Sequence, residues 1–449
     1  MIGVAGLGKS GISAATLLLK NNEAVILFDS NKELNKEELL AKFDKAYHKN
    51  INIILGELKK KDLEDMSYCV ISPGIDLETD FVQVLKANNI PIWSEIELGF
   101  KYAKGGLIAI TGTNGKTTTT SLVGEIMSNF AKSSFTVGNI GIPYTDIADK
   151  TDEDSVTVLE TSSFQLETII DFRPNISAIL NITPDHLNRH HTMENYIKVK
   201  EDISKNQTED DFCILNYEDE ALREFADRVK AKVVFFSSRR KLEDGFYLDK
   251  DIIMQSKNGV AKEILDTKKL NILGRHNYEN VMAAIAIASS YGVPMESIVN
   301  SCYAFHAVEH RIEFVKEVNG VRYYNDSKGT NPDAAIQAVL AMPAATYIIA
   351  GGYDKGSEYD EWIESFGTKV KKLVLMGATA GKIEECAKKH GFNDIVTVDS
   401  MQEAVKICAN EAKTGEYVLL SPACASWDMY DNYEQRGDHF KNCVNQLLR

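Results

Sequence analysis

The chain has 449 residues, 44% of them hydrophobic and 26% charged, and carries a net charge of −15. That length implies two or three domains, and the composition is that of a globular protein. The acidic balance excludes a non-specific nucleic-acid binder, and an anionic ligand must therefore be met by local Lys, Arg and helix N-termini. Seven dispersed cysteines with no C-x-x-C pair point to reduced thiols in a cytosol and to no zinc site. No membrane-spanning run is expected, and the first residues open as a strand rather than as a leader peptide.

The first unit starts at once. Ile2-Gly3-Val4-Ala5 reads as a strand, followed by Gly6-Leu7-Gly8-Lys9-Ser10-Gly11 and an apolar helix through Leu19. Val25-Ile26-Leu27-Phe28 is a second strand that ends at Asp29, beside Ser30. This is G-x-G-x-x-G closed by an acidic residue, a device that puts a diphosphate on a helix N-terminus. It suits NAD and a UDP-sugar equally well. Cys69-Val70-Ile71 then leads into Ser72-Pro73-Gly74, a strand and turn at the same sheet edge.

The second unit carries the strongest signal. An apolar strand from Gly106 runs into Thr111-Gly112-Thr113-Asn114-Gly115-Lys116-Thr117-Thr118, and Leu122, Val123, Ile126, Met127 and Phe130 mark one face of the helix that follows. Strand, glycine turn, Lys-Thr and helix form a phosphate cradle, although Ile110 stands where the usual P-loop has its first glycine. Lys116 would reach the β- and γ-phosphates and Thr117 would hold Mg²⁺. Val156-Thr157-Val158-Leu159 is a strand ending at Glu160, either a plain strand-end acid or a Mg²⁺ ligand beside the cradle. A strand at 176–180 runs into Asn181-Ile182-Thr183-Pro184-Asp185-His186, which puts His186 just past a strand end. His190 and His191 read as solvated, and Lys198 and Lys200 as charges on an acidic helix. Residues 217–267 are charged and read as peripheral strands and helices. Gly274-Arg275-His276-Asn277-Tyr278-Glu279-Asn280 opens an Ala- and Ile-rich helix. Asn277 and Asn280 share one face there, as a cap or as a pair for an adenine edge.

The third unit begins near Phe305. Its strands end in Asn325-Asp326-Ser327-Lys328-Gly329-Thr330-Asn331, in Gly351-Gly352 with Lys355 beyond, in Gly377, and in Ser421-Pro422-Ala423-Cys424-Ala425-Ser426. Small or charged residues at several strand ends mark a crevice outside the carboxyl edge of a parallel sheet.

Taken together these residues resemble the Mur ligases across essentially the whole chain. The resemblance rests on Thr111-Gly112-Thr113-Asn114-Gly115-Lys116-Thr117, on Glu160-Thr161-Ser162-Ser163-Phe164-Gln165-Leu166-Glu167, and on the Gly274, Asn277 and Asn280 box. The segment Asp326–Asn331 and the run from Leu420 through Asp428 to Tyr433-Glu434-Gln435-Arg436-Gly437 are similar to the branch that adds D-glutamate. The resemblance implies an α/β fold of three domains, each a mostly parallel sheet with helices: a Rossmann-like UDP-sugar domain (1–95), a P-loop ATPase (96–306) and a Rossmann-like amino-acid domain (307–449). It implies ATP-dependent ligation of D-glutamate to UDP-N-acetylmuramoyl-L-alanine through an acyl phosphate, by a cytoplasmic monomer that needs neither nucleic acid nor membrane.

The same resemblance assigns residues. Gly6, Leu7, Gly8, Lys9, Ser10, Asp29, Ser30, Ser72, Pro73, Gly74 and Asn139 would take the UDP-sugar. Gly112, Thr113, Asn114, Gly115, Lys116, Thr117, Thr118, Asn277, Asn280, Arg311 and Asp326 would take ATP. Two Mg²⁺ ions are implied, with Thr117, Glu160, His186 and Lys200 as ligands, and Lys116, His186 and Lys200 as the catalytic set. Lys200, four after Tyr196, would act as a carbamate formed with CO₂, with Lys198 as the competing position. For D-glutamate, Lys328, Thr330 and Lys355 are expected at one carboxylate, and Ser426 with Tyr433 at the other. Two rivals are a folylpolyglutamate-synthase-like ligase, which leaves the first domain and Asp326-Ser327-Lys328 unexplained, and an NAD(P) oxidoreductase, which leaves the P-loop idle. A nucleotide switch would leave the C-terminal motifs idle.

Overall fold

A computed structural model of the chain describes residues 1–306 and 309–447. Three sheets follow one another along the sequence. The first comprises β1 (Ile2–Ala5), β2 (Val25–Asp29), β3 (Ile51–Leu55), β4 (Cys69–Ile71) and β5 (Ile92–Ser94), all parallel in the order 3-2-1-4-5. β1 is buried at every residue because the sheet is covered on both faces, which explains its unbroken apolar run. The chain order reverses between β1 and β4, and a crevice opens beyond the carboxyl ends of strands at such a point.

The second sheet comprises β6 (Gly106–Thr111), β7 (Ser133–Gly138), β8 (Ser155–Glu160), β9 (Ile176–Ile179), β10 (Phe212–Asn216), β11 (Lys232–Ser237), β12 (Gly245–Asp249), β13 (Ile252–Lys257) and β14 (Val260–Asp266). Its order is 14-13-12-11-10-9-6-8-7, parallel from β7 through β12 and antiparallel between β12 and β13. The strand before the phosphate cradle, β6, therefore lies between β8 and β9. The charged stretch at 217–267 adds strands at the far edge, as its composition suggested.

The third sheet comprises β15 (Glu313–Val318), β16 (Val321–Asn325), β17 (Thr346–Ala350), β18 (Val370–Leu375), β19 (Ile395–Thr397) and β20 (Tyr417–Leu420), ordered 15-16-20-17-18-19. Only the β15–β16 pair is antiparallel. The fold class read from the sequence, α/β with three mostly parallel sheets, holds.

By backbone contacts the chain divides into two compact units. Residues 1–265 and 279–302 form the first, with the first two sheets; residues 266–278 and 303–449 form the second. The first unit has separate cores, one under the helix Lys9–Lys20 and one around Phe172, Tyr196 and Ile203. No helix among the described residues is long and apolar enough to cross a membrane.

Candidate active site

The first sheet gathers its candidate residues at one edge. Gly6 follows β1, Asp29 ends β2 and Ser72 follows β4. Gly6 takes a φ of +82°, and a Cβ on Gly11 would collide with the Gly6 carbonyl oxygen, so both positions demand glycine. The Asp29 carboxylate accepts from Leu7 N at 3.0 Å and from Asn31 N at 3.0 Å, so it organises the glycine loop. The Leu7 side chain is in the core. The Ser72 hydroxyl donates to the Gly6 carbonyl at 2.8 Å and joins the two loops. The Lys9 ammonium donates to the carbonyl of Gly141, in the loop after β7.

The second sheet builds the cradle. Gly112 has φ +152° and Gly115 φ +84°; a side chain on Gly115 would strike the Asn280 amide oxygen. The helix Lys116–Phe130 starts without a side-chain cap, which leaves its first N–H groups for an anion. Asn181, at the end of β9, braces the loop: its Oδ1 accepts from Asn114 N at 2.8 Å and its Nδ2 donates to the Asn114 carbonyl at 3.0 Å. Thr113 Oγ1 accepts from Thr183 N at 3.0 Å. Lys116 Nζ folds back to donate to the carbonyls of Gly112 at 2.8 Å and Thr113 at 2.9 Å. Thr117 is partly exposed in the first turn, while Thr118 is buried.

Glu160 ends β8, in register with Ile110 of β6. It is 1% exposed, Asn139 Nδ2 donates to its Oε1 at 2.7 Å, and its Oε2 meets no hydrogen-bond donor. The plain strand-end reading, an exposed acid, does not survive this burial. Asn139, expected at the UDP-sugar, has its amide nitrogen committed to Glu160. A buried carboxylate with an unmet oxygen beside a phosphate cradle has the hard-donor chemistry that Mg²⁺ requires, and Thr117 offers a hydroxyl in the first turn of the helix that follows the cradle. The residues present therefore fit a divalent cation.

Lys200 also departs from the solvated reading. It is 1% exposed, and its Nζ donates to the Gly112 carbonyl at 2.9 Å and lies 4.8 Å from the Tyr196 ring centre. Burial, with the Lys116 charge beside it, holds its ammonium well below the ordinary lysine range. Lys198 is exposed and pairs with Asp202 at 2.7 Å, so the two lysines have opposite environments. His186 is exposed, takes a left-handed φ of +51°, and packs edge-on to Phe164 at 4.9 Å. His190 corrects the solvated reading: it is buried, its Nε2 is 3.0 Å from Ser163 Oγ, and burial pushes its pKa down to about 4. His191 is exposed, as read.

Within the second unit, Asn277 is buried and donates to the Leu273 carbonyl at 2.7 Å, a local cap-like bond. Asn280, on the same helix Arg275–Tyr291, is buried in the first unit. At the third sheet Asp326 follows β16 and accepts from Ser421 Oγ at 2.9 Å. Burial pushes its carboxyl up to about 7, against the opposing pull of Arg311. Arg311 Nε is itself buried without a hydrogen-bond partner. Lys328 Nζ lies 5.5 Å from the Tyr433 ring centre, and Lys355 Nζ lies 5.1 Å from that of Trp427. Tyr353 bridges to Ala425, which ties the Lys355 loop to the strand end carrying Ser426. Lys328 thus lies by Tyr433, and Lys355 by the loop that carries Ser426. Thr330 stays by Lys328, donating to its carbonyl at 2.8 Å.

Sequence reasoning gave no role to Arg436, although it stood in a quoted motif. It is buried, donates through Nε to Ser327 Oγ at 3.0 Å and through its terminal nitrogens to the carbonyls of Ser327, Cys424 and Ala425. One guanidinium therefore holds together the loop after β16 and the loop after β20. A small cavity beside it is lined by Gly351, Gly352, Met376 and Leu420. Gly351 and Leu420 end the two strands between which the chain order reverses.

Three sequence families match in order: the Mur ligase MurD-like N-terminal domain over residues 1–94, the Mur ligase middle domain over 110–288 and the Mur ligase glutamate ligase domain over 310–424. The chain is 54% identical to the UDP-N-acetylmuramoylalanine–D-glutamate ligase of Lachnoclostridium phytofermentans, covering 99% of this chain and 97% of that one. It is 48% identical to the enzyme of the same name from Clostridioides difficile, over 98% and 97%. Two solved structures share the fold. The UDP-N-acetylmuramate-alanine ligase of Thermotoga maritima matches 99% of each chain with TM-score 0.60 and 19% identity. The MurF ligase of the same organism, in complex with ADP, covers 94% of this chain and 96% of its own, with TM-score 0.60 and 16% identity. With domain models along its length and full-length relatives near half identity, the chain belongs to the Mur ligase family.

Proposed function

We propose that the chain is an ATP-dependent ligase that joins D-glutamate to UDP-N-acetylmuramoyl-L-alanine in peptidoglycan precursor synthesis. The observation that carries the reading is Glu160, a buried carboxylate with an unmet oxygen one strand from the phosphate cradle. The relatives' names supply the substrates. An oxidoreductase has no use for that cradle, and a switch has none for the Asp326–Thr330 and Ser421–Arg436 clusters.

A carboxylate and an amine do not condense in water without activation. The alanyl carboxylate oxygen attacks the γ-phosphorus of ATP, ADP leaves, and an acyl phosphate results. The D-glutamate amine then adds to the acyl carbon, and the tetrahedral adduct expels phosphate while the nitrogen loses a proton. Bound Mg²⁺ would neutralise the phosphate charge and align the oxygens. Thr117 and Glu160 are its proposed ligands at the nucleotide, with His186 and Lys200 at a proposed second ion. Lys116 and the N–H groups of the helix Lys116–Phe130 hold phosphate oxygens.

Lys200 serves as a carbamate: its neutral amine adds to CO₂ and loses a proton, giving the oxygen donor that a lysine otherwise lacks. Its burial and lowered ammonium pKa support that amine as the neutral nucleophile. Asn277, Asn280, Arg311 and Asp326 are assigned to ATP, the three edge loops of the first sheet with Asn139 to the UDP-sugar, and Lys328, Thr330, Lys355, Ser426 and Tyr433 to D-glutamate. Domain limits of 1–95, 96–306 and 307–449, a monomeric state and a cytoplasmic location complete the reading. Phosphate release from ATP that requires both UDP-N-acetylmuramoyl-L-alanine and D-glutamate tests it. Release that ignores the amino acid, or that prefers L-glutamate, overturns it.

A further inference from the structure

We propose that Arg189 is a positioning residue that holds the UDP-sugar turn Ser72-Pro73-Gly74 against the metal-binding edge of the second sheet. The inference rests on the assignment of that turn to the UDP-sugar. Nothing in the mechanism above uses Arg189, yet its side chain is only 9% exposed. It belongs to the short helix Leu187–His190, which opens at His186.

The guanidinium works in four directions at once. Nη1 donates to the Pro73 carbonyl at 2.9 Å and Nη2 to the Ile75 carbonyl at 2.8 Å. Those two carbonyls bracket Gly74. On the opposite side, Nε and Nη2 donate to the two oxygens of Glu167 at 3.0 and 2.5 Å. Its central carbon lies 4.1 Å from the ring centre of Phe164, the ring that also packs against His186. The turn is closed by Ile75 N donating to the Ser72 carbonyl at 3.0 Å, and Ser72 Oγ reaches back to the Gly6 carbonyl. One side chain therefore links the glycine loop, the Ser-Pro-Gly turn and the residue proposed as a metal ligand.

The chemistry needs arginine. A planar fork with five N–H groups can meet a carboxylate and two divergent carbonyls together; a lysine ammonium cannot hold that geometry. Burying such a pair adds little net stability, because desolvation offsets the attraction, so its value lies in geometry. Burial raises the Glu167 carboxyl and Arg189 draws it back, as expected for a pair held out of water.

Arg189→Lys, Arg189→Ala and Glu167→Gln are compared with the full-length wild type by calorimetry and steady-state kinetics. For Arg189→Lys and Arg189→Ala the affinity for UDP-N-acetylmuramoyl-L-alanine should fall about 10- to 100-fold. The dissociation constant of Mg·ATP, whose proposed ion ligands Thr117 and Glu160 are not among the hydrogen-bond partners of Arg189, and the KM for D-glutamate should stay within about twofold. Glu167→Gln should show a smaller loss of the same kind. Guanidinium ion at millimolar concentration should restore part of the UDP-sugar affinity of Arg189→Ala. An unchanged UDP-sugar affinity in Arg189→Lys, or an equal loss for all three substrates, overturns the proposal. If Arg189→Ala fails to fold, Arg189→Lys decides. Should wild type bind Mg·ATP but not the UDP-sugar, the functional reading fails, and the Arg189 variants are not what refuted it.

Discussion

Glu160→Gln separates what the fold asks of that carboxylate from what the ligand asks. The side chain is 1% exposed, Asn139 Nδ2 donates to Oε1 at 2.7 Å, and Oε2 has no donor. Glutamine keeps the volume and the acceptor facing Asn139 and removes the charge. A buried charge costs more than a buried neutral amide, so the variant should be as stable as wild type or gain up to about 1 kcal/mol without ligand. That corresponds to a Tm unchanged or raised by about 2–4 °C. With Mg·ATP the order inverts. At a concentration of about 100 times Kd, wild type gains about 2.7 kcal/mol; a variant binding about 100-fold more weakly gains only about 0.4 kcal/mol. Scanning fluorimetry with and without Mg·ATP, backed by calorimetry, reads both effects in one preparation. A variant that melts several degrees lower without ligand, yet keeps the full Mg·ATP shift, would refute the claim that this oxygen waits for a cation.

Lys116→Met should lower turnover by about 10²–10³-fold or more at unchanged Tm, since it removes one anchor of transition-state charge; wild-type turnover would refute it. Lys200→Ala should be inactive and partly rescued by short-chain carboxylates, whereas Lys198→Ala should keep its activity; the reverse result moves the carbamate to Lys198. Glu95 gives a pH prediction. Burial raises its carboxyl from 4.5 to about 7 in the fold, with Oε2 unmet while Oε1 accepts from Thr145 N at 2.7 Å. The folded state keeps that proton where the unfolded chain has lost it, so this stabilisation is present below pH 4.5 and disappears as pH rises to about 7. Glu95→Gln should flatten that slope and be more stable than wild type at alkaline pH; denaturant titrations giving parallel pH profiles for the two proteins would refute it.

The parts legible in the sequence were those specified locally. Thr111–Thr117 states its own geometry, because two glycines at positive φ and a helix start are written into the local run. Buried parallel strands such as β1, β6 and β20 announce themselves as unbroken apolar runs. β7 did not, because its residues Ser133–Gly138 are mostly half-buried or exposed at a sheet edge and carry no such run. Burial of single polar residues was not legible either. His190 and His191 are neighbours, yet one is enclosed by Ser163, Phe164 and Tyr196 and the other lies in solvent. Lys198 and Lys200 differ in the same way. Which helix face packs inward is decided by tertiary contacts, and a charged helix with weak amphipathic contrast gives no forewarning. The approach of the Lys355 loop to the Ser426 loop was not legible for a similar reason: the bridge from Tyr353 to Ala425 joins residues far apart in sequence.

The two lysines at the cradle act on one another through a single carbonyl. Gly112 O accepts from Lys116 Nζ at 2.8 Å and from Lys200 Nζ at 2.9 Å. Two cations on one oxygen repel, and burial, followed by the Lys116 charge, holds the Lys200 ammonium well below the ordinary lysine range. Under the proposed function, the residue assigned to phosphate thus also helps prepare the neutral amine that CO₂ requires. Once Lys200 is a carbamate the sign of the interaction reverses, because an anion then faces Lys116 and repulsion becomes attraction. Under the proposed function, modification therefore removes a like-charge conflict that the unmodified fold carries. It also gives Lys200 an oxygen donor of the kind that a divalent cation such as Mg²⁺ prefers.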